Sequence, residues 1–189
     1  MTTVPADDAP LGLEKGTVRL LPWQPAWALL FAAERDRLHA VLGGNVLDIQ
    51  HVGSTSIPGM PAKPIIDIGI AVASFEAAVV CIEPIVALGY EYRGENGIPR
   101  RHYFVRGEPR LFHLHMNEIH GRDWQEQLRF RDALIADPRL AAEYAALKLD
   151  LARRFPRDRD AYLDGKAPFI RRLLDSSGPP PPAAPLSAR

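Results

Sequence analysis

Asp67 is the one charged residue inside an apolar run, Ile65 to Val72. A charge in a buried strand is costly unless it is paired or holds a cation. Upstream lies a small-residue loop, Gly53-Ser54-Thr55-Ser56, with Pro58, Pro61 and Pro64 stiffening the chain between loop and run. Gly53 permits positive φ and close backbone approach. The three hydroxyls and the loop N–H groups suit an anion such as a phosphate; a plain turn is the alternative. A carboxylate beside such a loop can set magnesium next to substrate phosphates. The bland reading of Asp67 is a carboxylate that caps a loop or pairs with Lys63 or an arginine.

His113 and His115 are the second feature. On a strand over Leu111 to Asn117 they share one face, with Leu114 and Met116 opposite. Two imidazoles at this spacing can bind a metal or a phosphate, or act as acid and base; each alone also reads as a satisfied strand histidine. His51, on the strand leading into the loop, could join them. His51, His113, His115 and Asp67 offer ligand types suited to zinc, without HExxH or CxxC spacing. Arg100, Arg101, Arg106 and Arg110 flank the histidine hairpin; they suit phosphate or carboxylate, or simply protect a strand edge. Arg131 with Asp132, and Tyr162 with Lys166, lie on late helices, where the i, i+4 pair can face one site. The stripe Leu140, Tyr144, Leu147, Leu151 reads as helix core.

With 189 residues, the chain can bury the core of one domain. Its net charge of zero points to neither nucleic acid nor anionic membrane as a partner. A single cysteine, Cys81, excludes an internal disulfide. No apolar run reaches the roughly 18 residues of a membrane span, and the first residues lack a secretory pattern. Cytoplasm is the expected compartment.

These residues need elements to hold them. The pattern predicts a loose arm over residues 1–16, a strand at Thr17 to Leu21 and a helix over Ala26 to Leu42 ended by Gly43-Gly44. Strands follow at Val46 to Val52 and Ile65 to Val72. Ser74 is an N-cap for a helix to Leu88, which Pro84 should kink or break. Further strands are expected at Tyr90 to Arg93, His102 to Arg106 and Leu111 to Asn117, the last two joined by a turn at Gly107-Glu108-Pro109. Helices are expected over Asp123 to Ile135, Pro138 to Phe155 behind the cap Asp137, and Arg159 to Leu174. The proline-rich stretch 175–189 is expected to be disordered. Strands early and helices late predict an α+β domain over residues 17–174 around one mixed sheet.

Taken together, several motifs resemble the GrpB family, within the nucleotidyltransferase superfamily that includes DNA polymerase β. They are Pro22-x-x-Pro25-x-Trp27, His51-Val-Gly-Ser-Thr-Ser-x-Pro58-Gly, Ala62-Lys-Pro-Ile-Ile-Asp-Ile68, Leu88-Gly-Tyr90, Gly97-Ile-Pro99, His113-Leu-His115, Phe130-Arg-Asp132 and Tyr162-x-x-Gly-Lys166. The similarity runs from about Val18 to Leu173. It implies a polymerase-β-like nucleotidyltransferase fold: a mixed β-sheet with flanking helices, plus a C-terminal helical segment. The superfamily pattern is a hydrophobic residue, Gly, then Gly or Ser, followed at a distance by acid-hydrophobic-acid-hydrophobic. Here Val52-Gly53-Ser54 leads, after Thr55 to Ile66, to Asp67-Ile68-Gly69-Ile70. Gly69 stands where the second acid belongs, and His113 and His115 stand where a later strand supplies the third.

The resemblance implies an enzyme acting on a nucleotide or other phosphorylated small molecule with a divalent metal. Gly53, Ser54, Thr55 and Ser56 would hold phosphate, aided by Lys63, Arg101, Arg131, Tyr162 and Lys166. Asp67, His113 and His115, with His51, would hold the metal or supply acid and base. One Asp with His ligands is softer than a set of carboxylates and suits Mn²⁺ or Zn²⁺ as well as Mg²⁺. Two other readings stand beside it: a binding module on a degenerate transferase site, and a metal enzyme of different chemistry built on the histidines.

Overall fold

The computed structural model describes residues 11–176. A five-stranded sheet is the frame. Its strands are β1 (Asp48–Val52), β2 (Ile66–Val72), β3 (Glu91–Tyr92), β4 (His102–Arg106) and β5 (Phe112–Glu118), in the spatial order β1-β2-β5-β4-β3. The β2–β5 pair is parallel and the others are antiparallel. β2 lies inside the sheet, which is why it reads as a nearly unbroken apolar run.

One face of the sheet carries the main core. Ile66, Ile68 and Ile70 of β2 and Leu114 and Met116 of β5 are fully buried there. They pack with Trp27, Leu38 and Leu42 of the helix α1 (Ala26–Leu42) and Ile85 of the short helix α2 (Ile82–Ala87). Burying each such side chain stabilises the fold by about 1.5–3 kcal/mol. The opposite face meets α3 (Arg122–Ala136), behind which α4 (Pro138–Arg154) and α5 (Arg159–Ser176) pack through Leu134, Tyr144, Phe169 and Leu173. Asp137 caps α4, accepting from the N–H groups of Arg139 and Leu140, with Pro138 in the first turn. The mixed sheet, the flanking helices and the helical C-terminal segment agree with the sequence reading.

Several local expectations change. Thr17 to Leu21 is not a strand: only Leu21 pairs, with Ala62, and Val18 N–H turns to Pro156 O. Pro22 has no N–H with which to extend a ladder. Residues 11–16, expected to be loose, are tied down: Gly12 N–H donates to Pro64 O, and buried Leu13 pairs with Arg110. The segment after Ser74 is a 3₁₀ turn, Ala77–Cys81, followed by α2, so the break precedes Pro84, which sits in the first turn of α2. α5 runs to Ser176; the proline-rich stretch 177–189 and residues 1–10 lie outside the described residues. Among the described residues no helix is long and apolar enough to cross a membrane.

The missing second acid has a physical reason. A Cβ on Gly69 would sit 3.0 Å from Trp124 Cζ3 and 3.2 Å from Val52 Cγ1. Trp124, at 4% exposure, has little room to retreat. α3 therefore docks onto the bare backbone of Gly69. Gly69→Ala should destabilise the fold by about 1–3 kcal/mol through overpacking, which is about 2–4 °C of Tm per kcal/mol for a chain of this size. Thermal unfolding checks this; an unchanged Tm would mean that the indole yields.

Candidate functional site

The sheet register assembles the site. Asp67 lies opposite Val52 on β1 and opposite His113 on β5, while Gly69 lies opposite His115. Alternation puts Asp67, His113 and His115 on the face turned away from the main core. Asp67 Oδ1 is 3.2 Å from His113 Nδ1 and 3.3 Å from His115 Nε2. Burial alone would raise the Asp67 carboxyl, but hydrogen bonds from the two imidazoles outweigh it and hold the group well below the usual range. Burial pulls His113 down, against the opposing pull of Asp67. Gly53, at φ +70°, completes the arrangement: a Cβ there would stand 2.6 Å from Asp67 Oδ2. The loop glycine is needed because the carboxylate lies against it.

The three donor atoms lie within 4.8 Å of one another. Ligands about 2.0–2.1 Å from a tetrahedral ion stand about 3.3 Å apart. The two observed separations fit that edge, and they also stand at the long end of a hydrogen bond. One carboxylate oxygen and two imidazole nitrogens also form a chemically suitable donor set for Zn²⁺ or Mn²⁺. The residues present fit a divalent cation.

A cleft of about 480 Å³ opens in front of this triad. Six cationic side chains line it: Lys63, Arg101, Arg110, Lys148, Arg159 and Lys166. Asp67 is the one carboxylate among its lining residues. Lys148 is 1% exposed; its Nζ donates to Ser54 Oγ at 3.0 Å and to Pro61 O. Burial, reinforced by the charge of Lys166, pulls Lys148 down to about 6. Burial likewise lowers Lys63 and Lys166 to about 8. Lys63 and Lys166 Nζ sit 4.6 and 4.9 Å from the centre of the Tyr162 ring.

Of the expected site residues, Asp67, His113, His115, Ser54, Thr55, Lys63, Arg101, Tyr162 and Lys166 line the cleft. The loop hydroxyls do different jobs. Ser54 faces Lys148, buried Thr55 is tied to His51 at 2.9 Å, and Ser56 Oγ turns back to Gly53 O. Gly53 and Ser56 are not among the lining residues, and two more fall elsewhere. His51 pairs with Ile68, so it lies on the other face, stacked on Phe31 and pulled down to about 4 by burial. It cannot join the Asp67 donor set. Arg131 clamps β1 instead, donating to Gln50 Oε1 and His51 O. Lys148 and Arg159 were missed. Lys148 adjoins Leu147 of the helical stripe and lies four residues after Tyr144, so a lysine on the core side was the available signal.

Lys148 yields a pH prediction. Its folded pKa lies below its unfolded value of 10.5. Between the two the unfolded chain holds one more proton, so the Lys148 contribution to stability rises with pH. From pH 6 to 8, denaturant unfolding should show wild type gaining on Lys148→Met by up to about 1.4 kcal/mol per pH unit. A constant difference across that window would contradict the buried neutral amine.

Relatives bear on the whole domain. The GrpB protein family matches residues 17–176. UPF0157 protein YqkA of Bacillus subtilis is 43% identical over 86% of this chain, and this chain spans 48% of it. The glutamate-rich protein GrpB of Alkalihalophilus pseudofirmus is 34% identical over 87% of this chain and 98% of its own. The chain thus spans about half of the first relative and nearly all of the second. The crystal structure of GrpB from Enterococcus faecalis superposes with a TM-score of 0.79 at 34% identity, covering 84% of this chain and 96% of that one. Cid1 in complex with its short product ApU shares the fold at 15% identity and a TM-score of 0.50, over 70% of this chain and 43% of that one. The chain belongs to the GrpB family, on a polymerase-β-like nucleotidyltransferase fold.

Proposed function

We propose that this chain binds a nucleoside triphosphate or a similar phosphorylated small molecule together with a divalent cation, and transfers a nucleotidyl group from it. The observation that carries the reading is the gathering of six basic side chains around one carboxylate–imidazole triad, in a protein of zero net charge. Neutral or cationic substrates would gain nothing from that field; a polyphosphate would be drawn into it.

In this reading Asp67, His113 and His115 hold the cation. The cation would neutralise charge on the substrate phosphates and polarise the phosphorus under attack. Ser54 and Lys148 bind the phosphate end, and Lys166 lies along its path. An acceptor oxygen attacks the α-phosphorus with its lone pair. The bond to the bridging oxygen breaks in line, and pyrophosphate leaves with the bonding pair. Asp67 is 30% exposed, so water reaches the reacting centre and can carry off the acceptor proton. Catalysis then rests on positioning and on fixed positive charge.

A second reading, nucleotide binding without turnover, is favoured by Gly69. Trp124 fills the space of a second carboxylate, so the usual pair of bridged metals lacks its ligand. One experiment separates the two. Nucleotides are screened by thermal shift with and without Mg²⁺, Mn²⁺ and Zn²⁺, and pyrophosphate release is followed in parallel. A nucleotide at 100 times its Kd should add about 2.7 kcal/mol of stability. That shift should need a cation and vanish in Asp67→Asn. A shift without pyrophosphate release supports the binding module, and no nucleotide shift in any metal would sink both readings.

A further inference from the structure

We infer that the cleft holds a second anion subsite, formed by Lys63, Arg110 and Arg159, that takes the phosphate of a small phosphorylated acceptor. The acceptor role rests on the transferase reading above; the subsite itself rests on the following geometry.

Lys63 and Arg110 stand just before β2 and β5, which are joined there by Ile66 N–H donating to Leu111 O; Gly12 N–H donates to Pro64 O while its neighbour Leu13 pairs with Arg110. Lys63 Nζ lies over the Tyr162 ring, one turn along α5 from Arg159. Lys148 is bound elsewhere, to Ser54 Oγ and Pro61 O. A donor phosphate chain at the Ser54 end would leave the Arg110 end free.

The three residues come from separate parts of the chain: the loop before β2, the β4–β5 turn and the start of α5. Their convergence is not a local run of charge. Carboxylate partners are scarce there. Arg110 donates Nε to Leu13 O and a terminal nitrogen to Glu14 O, so its guanidinium is fixed by carbonyls and keeps its charge. Among the described residues Lys63 Nζ has no hydrogen-bond partner, only the face of Tyr162. Arg159 meets Asp160, its highly exposed neighbour, at 3.5 Å, a contact of little strength in water. Arg159 also opens α5, where a cation opposes the helix dipole. A residue placed against local preference and against its neighbours' charge is what an anion site requires.

Size argues for a small acceptor. The cleft has room for about 480 Å³, in the range of ordinary small-molecule sites.

The test is calorimetric titration of the full chain with two probes: a non-hydrolysable triphosphate analogue with Mn²⁺, and glycerol 3-phosphate. The monoester should bind both alone and with the analogue at saturation. Arg159→Gln, whose side chain is 46% exposed, should weaken the monoester about tenfold or more and the analogue by clearly less. Lys148→Met should do the reverse. Competition between the probes would overturn the second subsite, as would equal losses of both in Arg159→Gln. So would a failure of the monoester to bind while a short oligonucleotide binds through Arg159. Monoester binding that depends on Arg159, with no analogue binding at all, would keep the anion subsite and remove the transferase reading on which the acceptor role rests.

Discussion

Everything at this site depends on keeping the Asp67 carboxylate charged on an interior strand. Such a charge is tolerated because two imidazole nitrogens face one of its oxygens. Two glycines make the space. Gly53 lets the loop backbone close over the carboxylate, and Gly69, next along the same face, lets Trp124 close over the sheet. A side chain at Gly53 would push on Asp67 itself; one at Gly69 would push on the helix that shields it. The glycine that replaces a second acid is thus part of the packing that holds the first.

The second constraint is repulsion. Burial lowers the proton affinity of Lys63, Lys148 and Lys166, and the charge of Lys166 adds to it at Lys63 and Lys148, that of Arg159 at Lys166. The helices that carry two of them are held by apolar contact. Gly165 lets α5 approach α4 so closely that a Cβ there would lie 2.4 Å from Leu151 Cδ2. Tyr144 and Phe169 stack at 4.9 Å across the same pair of helices. Hydrophobic packing thus brings basic side chains together, and on the proposed reading a bound anion would offset their charge. The aromatic faces of Tyr144 and Tyr162 moderate the repulsion while no anion is present.

Much of this was legible from residue types and periods. An acid in an apolar run and two histidines at alternate strand positions pointed to the triad, because strand geometry fixes which side chains share a face. The helix at Ala26–Leu42 and the Asp137 cap followed from spacing and cap chemistry. What failed depended on register and tertiary contact. Whether His51 or Val52 faces Asp67 is decided by pairing with β2, and a one-residue difference reverses the answer. Arg131 looked free on its helix but meets the carbonyl of His51. Lys148 was passed over beside a stripe read as core, since nothing local says that a buried lysine will find a serine from a distant loop. The family motifs supplied the fold and left Gly69 unexplained; only Trp124 explains it.

The central claim is that Asp67, His113 and His115 hold a divalent cation within reach of a bound phosphate. Pulsed electron paramagnetic resonance of the Mn²⁺-loaded protein, with and without a non-hydrolysable nucleotide, addresses it directly. The account predicts nitrogen couplings from two imidazoles, one lost in each of His113→Ala and His115→Ala, and a phosphorus coupling that appears with the nucleotide. A spectrum of fully hydrated Mn²⁺ without nitrogen coupling, at protein concentrations that bind nucleotide, would contradict it.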